Sequence, residues 1–188
     1  MSAKIISAAE CPVAEWGGGT TTQLYIWPHN SQYKDRSFKL RLSSATVTTN
    51  VSQFTELTGI DRILMSLDNV ITLIHNGQET IKLMPFTAHF FDGADKTISY
   101  GCCTDFNVML KHGAYKNAEL FTDDSKNFVL ETDCDYFIYV VAGKYKIVDG
   151  CKELTLCAGK LLHLDGHSAS TVISTVESAK IVICKIEW

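Results

Sequence analysis

The chain has 188 residues, 46% hydrophobic and 20% charged, with 17 Lys and Arg against 21 Asp and Glu. A formal net charge of −4 supplies no basic field for a phosphate backbone, which excludes nucleic acid as a partner. The longest apolar run, YFIYVVA at 136–142, is far short of the ~20 residues of a spanning helix, and the first ten residues lack a signal-peptide core; the expectation is no membrane contact and a cytoplasmic location.

Apolar residues recur at period two between Gly, Asn and Asp turns, with no sustained helical period, so the chain reads as all-β. In order, strands are predicted over 20–27, 38–48, 62–67, 71–75, 80–84, 88–91, 97–101 and 105–111. A looser segment, 113–135, precedes strands over 136–141, 144–148, 153–157, 160–164, 170–174 and 179–186. Helix is confined to short turns within 52–57 and 122–127.

An internal repeat sets the architecture. Asn76-Gly77 and Asp92-Gly93 begin 16 positions apart, as do Asp149-Gly150 and Asp165-Gly166, and the two sets are offset by 73. Ile74, Ile81, Leu83 and Phe91 then fall on Ile147, Leu154, Leu156 and Leu164, and Leu64 falls on Phe137. Asn-Gly and Asp-Gly tolerate the positive φ of tight hairpins. Two small antiparallel barrels follow: residues 1–112 as the half with the candidate pocket, and 113–188 as the second half. Closure would hide sheet edges, and any edge left over would suit a homodimer.

Seven Cys, odd in number, include the vicinal pair Cys102-Cys103 and no C-x-x-C, against a disulfide framework or a zinc knuckle. There is no H-x-H; His163, Asp165 and His167 sit on a turn where they need not converge. No metal and no cofactor are expected. Cys102 and Cys103 lie near Asp105 and His112, but no nucleophile motif joins them.

Polar strand faces, which either meet solvent or line a cavity, are offered by Gln23 with Tyr25, Arg41 with Ser43, Arg62 with Ser66, and Asp105 with Asn107. Arg62 stands out because it opens the apolar stretch ILMSL. A guanidinium against an apolar wall needs a partner, either a ligand carboxylate held in its planar fork or a nearby acid such as Asp61. The run from Trp16 through Gly17, Gly18 and Gly19 to Thr22 and Gln23 offers backbone amides, hydroxyls and an aromatic lid, or is a plain turn before a strand.

The segments WGGGTTTQLYIWP (16–28), FKLRLSSATV (38–47), FTELTGIDRILMSL (54–67), FDGADKTISYG (91–101) and TDFNVMLKHG (104–113) resemble the HutD/Ves family. The resemblance implies duplicated cupin-like barrels, of the double-stranded β-helix or jelly-roll type, in one compact bicupin-like unit. It also implies a metal-free protein associated with histidine utilisation, binding a small carboxylate such as urocanate or N-formylglutamate and moderating the response. Ligand-binding positions carried over are Trp16, Gly18, Gly19, Arg41, Ser43, Arg62, Asp92, Asp105 and Asn107, while Phe54, Gly59, Phe91, Gly93 and Met109 read as structural. The family's Lys-Asn pair after the tryptophan is missing, and Gln23-Leu24 stands near its Arg-Glu. In the resulting picture Arg62 grips a carboxylate, Arg41 and Gln23 add polar contacts, Asn107 orients the ligand and Trp16 covers it. The alternatives are a small cupin isomerase or hydrolase with Asp105 or His89 as general base, and an empty barrel with an interaction role.

Overall fold

The computed structural model describes residues 2–123, 127–131, 133–149, 152–166 and 171–188. The strands in chain order begin with β1 (Ser2–Ser7), β2 (Val13–Trp16), β3 (Gly19–Trp27), β4 (Leu40–Val47), β5 (Val51–Gln53) and β6 (Ile60–Ser66). They continue with β7 (Ile71–His75), β8 (Glu79–Leu83), β9 (Ala88–Asp92), β10 (Thr97–Tyr100), β11 (Cys103–Lys111) and β12 (Asn117–Phe121). The last are β13 (Asn127–Val129), β14 (Asp135–Asp149), β15 (Lys152–Cys157), β16 (Lys160–Asp165) and β17 (Thr171–Glu187). Among the described residues there is no α-helix, only the 3-10 turns Ala8–Glu10 and Tyr33–Asp35.

Contacts divide the chain into two compact units, Cys11–Tyr115 and, jointly, Met1–Glu10 with Lys116–Trp188. The first ten residues, counted with the N-terminal half in the sequence, enter the other unit because β1 pairs with β16 from Ser2↔Asp165 to Ser7↔Lys160.

The unit Cys11–Tyr115 holds a six-stranded sheet, β2-β3-β4-β11-β6-β9, and a four-stranded sheet, β5-β10-β7-β8, with every pair antiparallel. Its core joins Val47, Leu64 and Phe91 of the first sheet to Ile71, Leu73 and Leu83 of the second. Each such side chain contributes roughly 1.5–3 kcal/mol when fully buried. Neither strand order returns to its first strand. The closed barrel expected from the sequence is therefore corrected to two open sheets sharing a core.

The second unit has one seven-stranded sheet, β1-β16-β14-β17-β12, with β13 on β17 and β15 on β14. Tyr136, Ile138, Tyr145, Leu156, Leu164 and Ile183 lie in its core. The orders β4-β11-β6-β9 and β5-β10-β7-β8 of the first unit recur here as β12-β17-β14-β16 and β13-β17-β14-β15. One long strand, β14, takes the places of β6 and β7, and another, β17, those of β10 and β11.

The repeat positions agree where the turns allow it. Leu64 and Phe137, Leu83 and Leu156, and Phe91 and Leu164 are buried in both copies. Ile74 is half-buried while Ile147 is buried, because the hairpins differ in loop length. His75 pairs with Glu79 across a three-residue loop, and Asp149 with Lys152 across two, so the offset is one residue larger before the turn than after it. Asn76 and Gly77 carry the positive φ their dipeptide suggested, 53° and 68°; Gly150 lies outside the described residues.

Several other expectations change. Strands predicted over 136–141 and 144–148 fuse into β14, which absorbs Gly143 (φ 73°) within register shifts between Val140 and Tyr145. Those over 170–174 and 179–186 likewise fuse into β17, residue 170 lying outside the described residues. Instead of a helical turn within 52–57, Val51–Gln53 forms β5. The centre of the turn expected within 122–127 falls outside the described residues.

Candidate functional site

The site grows out of strand pairing. Register aligns Ile26, Arg41, Met109, Arg62 and Phe91 in one row across β3, β4, β11, β6 and β9. Two residues along, Gln23, Ser43, Asn107, Leu64 and His89 form the next row. Since strand side chains alternate, every second residue of β4 and β11 shares a face. Arg41, Ser43 and Ala45 accordingly line one cavity with Asp105, Asn107 and Met109, and Arg62 joins them from β6. A β-bulge between Gln23 and Tyr25 breaks this alternation in β3, so Tyr25 is buried with Leu24 and Ile26 instead of sharing the face of Gln23.

The cavity has a volume of about 290 Å³, at the lower end of the roughly 300–1,000 Å³ of small-molecule sites. Aromatic side chains supply its walls: Trp16 from β2, Tyr33 from the 3-10 turn and Phe54 just after β5. Arg62 is 5% exposed, with its guanidinium carbon 4.5 Å from the centre of the Phe54 ring and 5.3 Å from that of Phe91. No described residue hydrogen-bonds to its guanidinium, and the buried Nε is without a partner among them. Asp61, the acid that could have paired with it, is engaged by His112 at 3.1 Å and by the Tyr115 hydroxyl at 2.7 Å.

Arg41 differs in being held by the protein. Its Nε donates to Gln23 Oε1 at 3.0 Å and its Nη1 to Ser43 Oγ at 3.1 Å, while the guanidinium lies 4.5 Å from the Tyr33 ring centre. Among the described residues, two buried acceptors, Asp105 Oδ1 and Asn107 Oδ1, have no donor. Unpartnered buried polar atoms are rare and costly, at about 1–3 kcal/mol each. Three of them, Arg62 Nε, Asp105 Oδ1 and Asn107 Oδ1, belong to residues that line one cavity.

Burial dominates the electrostatics. It pulls Arg62 down to about 10, which leaves the group cationic at neutral pH, and lowers Arg41 as well. Burial pushes Asp105 up to about 7, although Arg62 and the Ala45 backbone N–H act in the opposite direction. Near pH 7 the cavity thus holds two cations and a carboxylate that is only partly ionised. Its net positive charge favours an anionic guest.

The HutD family model matches residues 8–182. The chain belongs to the HutD family. Its fold is shared with the conserved protein of unknown function PA5104 from Pseudomonas aeruginosa PAO1, at TM-score 0.87, 20% identity and 100% of both chains. HutD from Pseudomonas fluorescens SBW25, in a formate condition, superimposes at TM-score 0.78 with 19% identity over 100% of both chains. YhhW from Escherichia coli, a cupin-like protein, matches at TM-score 0.71 with 8% identity over 98% of this chain and 97% of that one. No curated protein matches the sequence.

Of the positions carried over from the HutD resemblance, the structure gathers Trp16, Arg41, Ser43, Arg62, Asp105 and Asn107 around the cavity. Gln23 stands behind Arg41 rather than in the lining. Gly18 and Gly19 do not line the cavity. Gly17 and Gly18 close the β2–β3 hairpin, where Trp16 pairs with Gly19, and the Gly18 carbonyl accepts from the Thr48 N–H at 2.8 Å. A Cβ on Gly18 would run into the Trp16 ring, so this glycine seats the lid. Asp92 is corrected to a turn residue: its carboxylate accepts from the Ala94 N–H at 2.8 Å, and it does not line the cavity.

Sequence reasoning missed Tyr33 and undervalued Phe54. Both come from irregular backbone, where no alternation marks a face; the signal available was an aromatic beside each arginine-bearing strand. Burial, then Asp105 and Asp68, push the Cys103 thiol up to about 12, which disfavours the thiolate at neutral pH. In the HLDGH stretch, His163 contacts Asp135 at 3.4 Å and stacks on Phe137 with centroids 4.2 Å apart, while His167 lies outside the described residues.

Proposed function

We propose that the protein binds a small carboxylate metabolite, of urocanate or N-formylglutamate type, around Arg62, and thereby moderates histidine utilisation. The observation that carries this reading is a buried guanidinium at the wall of a cavity, packed on Phe54 and Phe91, whose Nε has no hydrogen-bond partner among the described residues. A carboxylate would occupy its fork bidentately. Tyr33, Phe54 and Trp16 would flank a planar body, and Asp105 Oδ1 and Asn107 Oδ1 would accept from an N–H at its far end. Membership of the HutD family supports the metabolic association. The protein would act in the cytoplasm, carboxylate binding at Arg62 would itself need no metal or cofactor, and its sheet edges, β2 and β9, would be the surfaces for a homodimer.

The recurrence of one strand order in both units supports a duplicated, bicupin-like origin for the two halves. The test of function is a thermal-shift screen with urocanate, N-formylglutamate, histidine and glutamate, on wild type and Arg62→Ala. Stabilisation of wild type alone is expected; equal stabilisation of both by every acid rejects the reading.

A second reading, a small cupin isomerase or hydrolase, is favoured by the place of Asp105 in the cavity lining, where burial pushes its carboxyl up to about 7, a range useful to a general base. Turnover of a metabolite that binds, lost in Asp105→Asn, would establish it. His89, the other candidate base, is hydrogen-bonded to His75 and does not line the cavity.

A further inference from the structure

A second cluster of ligating atoms lies outside the cavity lining. His75 of β7 is 2% exposed, and its Nε2 is 3.0 Å from Nε2 of His89 on β9, which is half-buried. The two rings join the four-stranded sheet to the edge strand of the six-stranded one. His75 Nδ1 is 2.8 Å from Thr97 Oγ1, and that hydroxyl donates to the Asp95 carbonyl at 3.3 Å. In the tautomer where Thr97 gives its proton to Asp95, His75 Nδ1–H donates to Thr97 Oγ1 and the His75 Nε2 lone pair faces His89.

We propose that His75 and His89 form the core of a borderline divalent-metal site, for an ion such as Zn²⁺ or Ni²⁺, with Glu79 as the third protein ligand. At metal–nitrogen distances of about 2.0–2.1 Å, two imidazoles on one ion stand about 2.9 Å apart at a right angle and about 3.3 Å apart on a tetrahedron. The observed 3.0 Å falls within that span. A ligating histidine commonly has its other ring nitrogen fixed by an outer hydrogen bond, and Thr97 supplies this for His75. Glu79 of β8 is directly opposite His75 in register, is exposed, and is close enough to His89 to act on it electrostatically. Among the described residues no three ligating groups already converge, so Glu79 closes on the ion by side-chain rotation. Water completes the shell, and half-buried His89 gives the path of entry.

The experiment is calorimetric titration of the tag-free, chelator-treated full chain with ZnCl₂ and NiCl₂, backed by the visible spectrum of a Co²⁺ adduct. One ion per chain is expected. His89→Ala should weaken binding about 100-fold and Glu79→Gln about 10-fold, the usual range for changes at and around metal ligands. Far-UV circular dichroism of each variant separates loss of site from loss of fold. Binding that is absent below millimolar metal, or unchanged in His89→Ala, would overturn the proposal and leave a proton-sharing histidine pair. Neither outcome depends on whether a carboxylate binds at Arg62.

Discussion

Arg62 and Asp105 line the same cavity, are both buried and carry opposite charge, yet form no ion pair. Attraction between them is present, since each shifts the other's ionisation toward the charged form. Contact is absent. Two charges held apart in a low-dielectric cavity leave room for a guest that satisfies both.

Replacing Arg62 with methionine should therefore improve the empty protein while destroying ligand binding. Substituting buried charge with apolar volume is often neutral or stabilising, by about 1–4 kcal/mol, and each kcal/mol moves Tm by about 2–4 °C in a chain of this size. Thermal melts of Arg62→Met without ligand test this. A fall of several degrees would mean that the guanidinium supports the fold.

Asp105 gives a pH dependence of defined sign. Its folded-state pKa of about 7 stands above the ordinary 3.8, so the unfolded chain releases this proton first. Stability from the protonated group is fully present below pH 3.8 and is lost as pH rises through about 7. The loss is on the order of 4 kcal/mol for the full shift. Asp105→Asn should flatten that part of the stability–pH curve, measured by urea unfolding between pH 4 and 8. An unchanged slope would count against a buried carboxyl here.

Gly18 and Gly19 should separate lid from scaffold. A Cβ at Gly18 meets only the outer atoms of the Trp16 ring, so Gly18→Ala should shift the tryptophan and weaken ligand binding with little change in Tm. At Gly19 the added Cβ meets the Thr46 backbone carbonyl, and φ is 152°. Gly19→Ala should cost stability, about 1–3 kcal/mol for backbone strain. Paired melts and ligand titrations of the two variants check the contrast.

Gln23 is expected to act through Arg41. Gln23→Leu removes the acceptor for Arg41 Nε, at about 1–3 kcal/mol for an orphaned buried donor, and lets the guanidinium drift. Ligand affinity should fall about tenfold. Restoration by Gln23→Glu, seen in calorimetry, would distinguish positioning from lost packing.

Period-two alternation made most of this site legible. It placed Asp105 and Asn107 on one polar strand face, and the apolar stretch that follows Arg62 singled that residue out. It could not tell a wet face from a dry one, because the second layer that buries Arg41 and Asp105 comes from distant segments. Strand ends failed where a bulge or glycine interrupts the pattern without ending the ladder, as at Gly143 in β14. The three-to-six-residue edge strands β1, β2, β5, β12 and β13 escaped because too few residues carry a period. Asp92 misled for another reason: Asp-Gly is diagnostic of a turn, and the Asp92 side chain caps that turn at the end of β9.

The lone guanidinium has one more consequence, for the protein's lifetime. A chamber that keeps Arg62 dry and uncompensated leaves the vacant molecule closer to unfolding than the occupied one, and proteases act on opened chains. Occupancy would then set abundance. A cell rich in the metabolite would accumulate the protein without any change in its synthesis, and a starved one would clear it.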